Sequence, residues 1–108
     1  MFNSVILSGR LTQDPELKTT TTGKSVTSFS VAVDRAYKAD GEKITDFLNI
    51  VAWGSTAEFI TRYFRKGNLI GIEGSIETRK YQDKNGDNRT AFEIVAKEVH
   101  FLERKKEE

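Results

Sequence analysis

Apolar side chains in this chain recur mainly at every second position, which is the spacing of a β-strand with one buried face. Within residues 3–11, for example, every second residue from Val5 to Leu11 is apolar or glycine. Turn-forming residues such as Asn85-Gly86 separate the alternating segments. The pattern predicts five strands, over residues 3–11, 26–34, 46–53, 69–81 and 90–102.

One segment, between the third and fourth predicted strands, has helical spacing instead. Ser55 is placed to act as the N-cap, Glu58 completes a capping box three residues later, and Gly67 is typical of a C-terminal stop. These signals predict a helix over residues 56–66. Its apolar stripe is Ala57, Ile60 and Phe64, and its last turn holds the basic residues Arg62, Arg65 and Lys66, which the helix dipole favours there.

The order of three strands, one helix and two strands predicts an all-β fold, a five-stranded OB-fold barrel with one α-helix between strands 3 and 4. Gly71 and Gly74 predict a bulge or a close backbone approach, as a sheet needs when it curls into a small barrel. With 108 residues, of which 37% are hydrophobic and 31% charged, the chain is expected to hold one globular domain, residues 1–103, and a short charged end, residues 104–108. OB-folds typically bind oligonucleotides or oligosaccharides.

Composition excludes several kinds of site. The chain has no cysteine, which rules out disulfides, thiolate nucleophiles and cysteine-bound metals. Its single histidine, His100, has no Cys or Asp nearby and is expected to be structural or exposed rather than a metal ligand. No phosphate-binding glycine loop, histidine pair or acidic triplet indicates an enzyme, and no metal or cofactor is expected. No signal peptide or membrane span is evident, so a cytoplasmic protein without membrane contact is expected.

Large rings on the third predicted strand are the strongest local sign of a ligand. Phe47 and Trp53 share one parity, and the opposite parity, within residues 48–52, is also apolar. One face of a barrel strand fills the interior, so rings on the other face need another reason, and two rings six residues apart suit two bases of a single strand. The alternative is that the rings are core or cover the helix, while residues 48–52 lie at a subunit contact. The pattern leaves both open.

Two more aromatic residues, Tyr37 and Tyr81, each lie beside two basic residues in a predicted loop or hairpin end. Stacking contributes roughly 1 to 3 kcal/mol per base whatever the base, and Lys and Arg neutralise phosphates. The net charge is only +1, so this hypothesis depends on the arrangement of the charges, and the alternative for each pair is a solvated hairpin end. The candidate base-stacking residues are Tyr37, Phe47, Trp53 and Tyr81, and the candidate phosphate contacts are Arg10, Lys18, Lys24, Arg35, Lys38, Lys43, Arg79, Lys80, Lys84 and Arg89.

Four segments closely resemble the N-terminal domain of bacterial single-stranded DNA-binding proteins. They are FNSVILSGRLTQDPELK, SVTSFSVAVDR, DFLNIVAWGSTAEFITRYFRKGNLIGIEG and TRKYQDKNGDNR, in the family's order, and the resemblance runs from Phe2 to Leu102. It implies an OB-fold that assembles as a homotetramer and wraps single-stranded DNA in replication, recombination and repair. It also implies base stacking by the same four aromatic residues and matches Arg79 and Lys80 to the family's basic positions.

The chain departs from this resemblance at several positions. Three of the four stacking positions hold Phe or Tyr where relatives often have Trp, so a smaller contribution per base is expected there. Asn49 and Ser55 replace a Lys or Arg of some relatives. The sequence ends in ERKKEE instead of a Gly- and Pro-rich linker with an acidic tail, so tail-mediated recruitment of other proteins is not expected of these residues.

Two other functions stay open at this stage. An OB-fold used mainly for protein contacts, such as a primosome accessory subunit, would bury the third-strand rings between subunits. A metal-dependent nuclease on the same fold would degrade an oligonucleotide when magnesium or calcium is added. Neither alternative explains the alternation of aromatic and basic residues as directly as binding of single-stranded DNA does.

Overall fold

The structure of the protein, a computed structural model, describes residues 1–35, 41 and 43–103. Two predicted site residues, Tyr37 and Lys38, lie outside the described residues, as do residues 104–108. The elements are β1 (Val5–Leu11), β2 (Lys18–Thr19), β3 (Ser25–Asp34), β4 (Thr45–Trp53), α1 (Gly54–Tyr63), β5 (Leu69–Gln82) and β6 (Asn88–Phe101). The five predicted strands are all present, with ends that differ by one or two residues.

The strands form one sheet in the order β1-β5-β6-β4-β3-β2, and β1 also pairs with β3. Because β1 bonds to β5 along most of its length and to β3 through Arg10 and Leu11, the sheet closes on itself. All five main strands take part in this closure, and β2 is a two-residue addition beside β3. The prediction of an all-β, five-stranded OB-fold barrel with one helix is confirmed, and the helix lies between β4 and β5.

The barrel interior is filled from alternate positions of the strands, as the period-two pattern requires. The fully buried side chains include Val31, Ile50, Ile70 and Ile72 from the strands, and Phe64 is 1% exposed. Helix α1 packs against β3, β4 and β6, and its predicted stripe is buried throughout. The helix therefore closes one end of the barrel. In the described part of the chain, no helix is long and apolar enough to cross a bilayer.

The predicted ends of the helix are wrong at both termini. Helix α1 begins at Gly54, with Trp53 at the N-cap, and no side chain caps it, so Ser55 and Glu58 form no capping box. Gly54 has φ +59°, a conformation that glycine adopts without a steric penalty, and this lets the chain turn directly from β4 into the helix.

The helix ends at Tyr63 and not at residue 66, because side chains replace the next helical bonds. The Arg65 N–H donates to Asn68 Oδ1 at 2.8 Å, and the Lys66 N–H donates to Asp14 Oδ1 at 2.8 Å. Of the three basic residues predicted for the last turn, only Arg62 lies within the helix. Arg65 lies beyond its end, and its guanidinium donates to the carbonyls of Thr61 and Phe64 at 2.7 and 2.8 Å.

A bulge between Glu73 and Gly74 confirms the prediction for this part of β5. A Cβ on Gly74 would collide with the Val95 carbonyl, so only glycine lets β5 and β6 approach so closely here. At Gly71 the nearest atoms belong to the side chain of Leu102, with Cδ1 at 3.1 Å from a Cβ position. The bulge lies where the two strands leave the barrel.

Candidate nucleic-acid interface

The outward side chains of β3 and β4 form a surface that we call the outer wall. Residues paired across two strands point to the same side of a sheet, so Phe47 lies beside Ala32 and Trp53 beside Val26. Phe47 is 68% exposed and Trp53 46% exposed, whereas Ile50 and Ala52 on the opposite parity are fully buried. The alternative in which the two rings belong to the core is wrong. The outer wall consists of Val26, Ser28, Ser30, Ala32, Phe47, Asn49, Val51 and Trp53.

Between the two rings of the outer wall, Asn49 is exposed and Val51 is only 8% exposed. Asn49 and Val51 pair with Ser30 and Ser28, so small side chains of β3 flank the rings of β4. Because these side chains of β3 are small, they leave the faces of the two rings accessible to a planar ligand. The small residues of β3 on this surface, Ser28, Ser30 and Ala32, were missed in the sequence, although their alternation was a readable signal.

Trp53 occupies a rigid junction, since it ends β4 and is the N-cap residue of α1. Across the sheet from it, Val26 pairs with both Trp53 and Lys18, which places Lys18 in the same outward row. Lys18, Val26 and Ser28 line a groove of ≈ 390 Å³, together with Gln13, Asp14 and Glu16. A base stacked on Trp53 would therefore have a cation two strand spacings away along the same row.

Beyond the bulge, β5 and β6 extend from the barrel as a two-stranded arm, defined here as residues 76–94. The β1–β5 pairing ends at Val5–Gly74, and the β4–β6 pairing is confined to Ile50–Ile94 and Val51–Val95. One further tie holds the base of the arm: the Asn3 amide donates to the Ile76 carbonyl at 2.8 Å and accepts from the Ile76 N–H at 2.9 Å. Both faces of the arm are open to solvent.

The turn at the tip of the arm spans residues 83–87 and contains the predicted Asn85-Gly86. Asp83 Oδ1 accepts the N–H groups of Asn85 and Asp87 at 2.9 and 3.0 Å, and Gly86 has φ +81°. The other carboxylate oxygen of Asp83 accepts from Arg89 Nε at 2.9 Å. The tip is therefore ordered by one aspartate that serves both the backbone and a basic side chain.

Tyr81 is 42% exposed and lies on the outward face of the arm, which continues the barrel exterior through Val95 and Val51. The Arg79 guanidinium carbon lies 5.5 Å from the Tyr81 ring centroid. Arg79 Nε also donates to Glu93 Oε1 at 2.7 Å. One side of the Tyr81 ring is thus occupied by a cation that already has a carboxylate partner.

Half of the predicted phosphate contacts are held by carboxylates. The pairs are Arg10–Glu103, Arg35–Asp46, Lys43–Asp34, Arg79–Glu93 and Arg89–Asp83, with N–O distances of 2.7 to 3.3 Å. Such exposed pairs exchange partners readily, because their net stability is small. A phosphate would therefore compete with a carboxylate at each of these cations.

Hydrogen bonds lower the pKa of three of the paired acids, Asp34, Asp46 and Asp83. The Arg35 side chain holds the pKa of Asp46 below its usual range, and Asp46 raises the pKa of Arg35. Arg89 lowers the pKa of Asp83, and the Thr45 hydroxyl, followed by Lys43, lowers that of Asp34. Asp34, Asp46 and Asp83 are therefore ionised at neutral pH, and the negative charge that competes with a phosphate is permanent at these three acids.

Four predicted phosphate contacts have no ion pair within the described residues: Lys18, Lys24, Lys80 and Lys84. Lys18 is in the row of Trp53, Lys24 follows the β2–β3 turn, and Lys80 and Lys84 are on the arm and at its tip. The structure thus divides the candidate cations into a paired set and a free set, which the sequence did not distinguish.

Two features of β6 were missed in the sequence. Phe92 is 71% exposed on the arm, a ring that no prediction singled out, although it shares a parity with Ile94. His100 Nε2 lies 2.7 Å from Glu73 Oε2, and Glu98 lies close enough that one ligand atom of each residue falls within 4.8 Å of the others. The Glu73–His100 contact lowers the pKa of Glu73. His100 is exposed, as expected, but it is held by a carboxylate from a distant part of the chain.

Comparison with known proteins gives consistent results. The model of the single-strand binding protein family matches residues 2–102. Single-stranded DNA-binding protein 3 of Clostridium acetobutylicum is 53% identical over 103 residues, which cover 94% of this chain and 72% of that protein. The single-stranded DNA-binding protein of Clostridium tetani is 53% identical over 103 residues, 94% of this chain and 71% of the relative. Single-stranded DNA-binding protein 1 of Staphylococcus aureus is 45% identical over 106 residues, 97% of this chain and 68% of the relative.

Proposed function

The chain belongs to the single-strand binding protein family, and we propose that it binds single-stranded DNA independently of base sequence, in replication, recombination and repair. The observation that carries this proposal is the outer wall, where Phe47 and Trp53 are displayed over a floor of small side chains. Two exposed rings on one strand form an apolar patch of the kind that marks a binding surface, and a base presents a π-face that can cover them.

In the proposed complex each part of the surface has a separate task. Phe47, Trp53 and Tyr81 stack on bases, and Tyr37 completes the set. Lys18, Lys24, Lys80 and Lys84 contact phosphates directly, since no carboxylate holds them within the described residues. Arg10, Arg35, Lys43, Arg79 and Arg89 contribute after exchanging a carboxylate for a phosphate, and Lys38 is included on sequence grounds alone. Stacking without hydrogen bonds to base edges gives affinity without sequence preference.

Several further properties form part of the proposal. Residues 1–103 act as the DNA-binding domain and residues 104–108 as a charged end. The protein assembles as a homotetramer, acts in the cytoplasm at the nucleoid, contacts no membrane, and catalyses no reaction. The exposed apolar residues Phe2 and Ile6, at and near the start of β1, are available for contacts between subunits.

Trp53 is the only tryptophan, so its fluorescence tests the proposal directly. Strong quenching by oligo-dT, with little quenching by a duplex of equal length, is expected at low and moderate salt. No quenching by either would overturn the stacking role and favour the alternative in which the rings contact another protein. A labelled oligonucleotide that stays intact after long incubation with magnesium is expected, and its loss would indicate a nuclease.

A further inference from the structure

The arm has two faces of opposite character. On the Tyr81 face, acidic and basic residues alternate, and the bases have acidic partners: Arg79 pairs with Glu93, and Arg89 with Asp83. The other face contains the even-numbered residues of both strands, because Ile76, Thr78 and Lys80 pair with Ile94, Phe92 and Thr90. No acidic residue lies on this second face; its members are Ile76, Thr78, Lys80, Gln82, Asn88, Thr90, Phe92 and Ile94.

The second face begins at the barrel core, and its side chains become more exposed toward the tip of the arm. Ile94 pairs with the buried Ile50 and packs against the core, so this face continues the barrel interior. Phe92 comes two residues farther out and is 71% exposed, opposite the short side chain of Thr78. Its ring therefore contributes little to the core, and it lies between the apolar Ile76 and Ile94 on the barrel side and the polar residues of this face on the tip side.

Lys80 is the diagonal neighbour of Phe92 across the two strands, a spacing within reach of long side chains. It has no ion pair within the described residues, in contrast to Arg79 on the other face. An aromatic ring and a free cation thus recur on the second face, which has no acidic residue to oppose a phosphate.

We propose that Phe92 and Lys80 form an additional subsite for single-stranded DNA, on the face of the arm opposite Tyr81. The Phe92 ring stacks on one base, and the Lys80 ammonium group contacts a neighbouring phosphate. This inference deepens the proposed function and depends on it. Its consequence is that the DNA contacts both faces of the arm, so that the arm lies between two parts of the bound strand.

A tryptophan reporter tests the subsite. In the double variant Trp53→Phe/Phe92→Trp the only tryptophan is on the second face, and an aromatic ring is kept at both positions. Addition of poly-dT is expected to quench its emission, whereas a duplex is not. Binding of labelled DNA, followed by fluorescence anisotropy, is measured in the same samples. Anisotropy that rises while the tryptophan emission stays constant would overturn the subsite and leave the proposed function intact. Absence of any binding of poly-dT by the unmodified protein would overturn both.

Single substitutions separate stacking from other uses of the ring. We expect Phe92→Ala to weaken poly-dT binding about tenfold, as for loss of one stacked base, and Phe92→Tyr to restore most of the affinity. Thr78→Ala, at the directly opposed position, is the matched control and should leave the affinity unchanged. Phe92→Leu keeps an apolar side chain without an aromatic face, so affinity equal to that of the unmodified protein would contradict stacking.

The competing occupant of this face is a second copy of the chain. Sedimentation equilibrium of Phe92→Ala without DNA is expected to give the same mass as the unmodified protein. A smaller mass would assign the ring to a contact between subunits and would overturn the subsite.

Discussion

The outer wall and the arm both display aromatic rings, but on different supports. The outer wall is one side of the closed barrel, and Ile50 and Ala52 on the opposite face of β4 are fully buried core. The arm has a single pair of strands with solvent on both faces. The wall carries its rings among small, uncharged neighbours, whereas the arm surrounds Tyr81 with ion pairs.

This difference indicates that the outer wall contributes mainly stacking and the arm mainly charge. A ring fixed on a packed barrel loses little conformational freedom when a base stacks on it, so the wall is suited to stacking. The arm carries a larger share of charge, and its cations must exchange partners, so its contribution should depend more strongly on salt. Four experiments test this difference between the outer wall and the arm.

Gly74→Ala should break the joint between the two regions. The added methyl group collides with the Val95 carbonyl, which is backbone and cannot move without shifting β6. We expect a loss of about 1 to 3 kcal/mol in the free energy of unfolding, measured by urea denaturation. Gly71→Ala is the control, because the atoms nearest to its added group belong to the movable side chain of Leu102, and the His100 Cβ, at 3.4 Å, is in ordinary contact. Equal stability of the two variants would contradict the role of the bulge.

Trp53→Ala tests the wall. The expected result is weaker binding by about 1 to 3 kcal/mol to every base composition, with the oligomer unchanged. Leu17→Ala is the control, since Leu17 is 47% exposed, close to the 46% of Trp53. The Trp53 side chain makes no cap hydrogen bond, so the helix should survive its removal. Loss of assembly in Trp53→Ala would mean that the ring is structural.

Glu93→Gln tests the charges of the arm by releasing Arg79 from its partner. Affinity for oligo-dT should rise less than about tenfold at low salt, the limit set by one small surface pair. The slope of log K against log salt should steepen by about 0.7, the value for one more phosphate on a single strand. Glu58→Gln on helix α1 removes the same charge elsewhere. An equal gain in both variants would mean that only net charge matters.

A change of pH should alter the affinity for DNA less than the three substitutions alter the property that each one tests. Arg35 and Arg89 hold the pKa values of Asp46 and Asp83 below the usual range. Because the folded-state pKa is depressed, each pair's contribution to stability is present above the ordinary Asp pKa and lost as the pH falls through the lower folded value. The effect of these pairs on the affinity for DNA should therefore be constant between about pH 5 and 8. The affinity should rise only in more acidic solution, where protonation of Asp46 and Asp83 releases the two arginines. Anisotropy titrations across this range measure it, and a step inside the flat window would contradict the assignment.

Much of the architecture could be predicted because its signals are local. Alternation along the chain predicted the positions of the five strands, and the parity of β4 placed Phe47 and Trp53 on one face. Whether that face is exposed or buried was left open by the pattern and was decided by the structure. The ends of α1 could not be predicted in this way. Asn68 and Asp14 replace the last helical bonds from outside the helix, and Gly54 starts it without a side-chain cap.

The barrel class, the single helix, the glycine bulge and the family could be inferred from the sequence, because each depends on residues close together in the chain or on an ordered set of motifs. The structure was needed to show which of the described cations are paired and which are free, and that Phe92 faces away from Tyr81. Arg79 meets Glu93 and Glu73 meets His100 through the register of β5 on β6. The partners in these two contacts are 14 and 27 residues apart in the chain, and the pairing register of β5 and β6 brings them together. A shift of this register by one residue would move each side chain to the opposite face of the sheet.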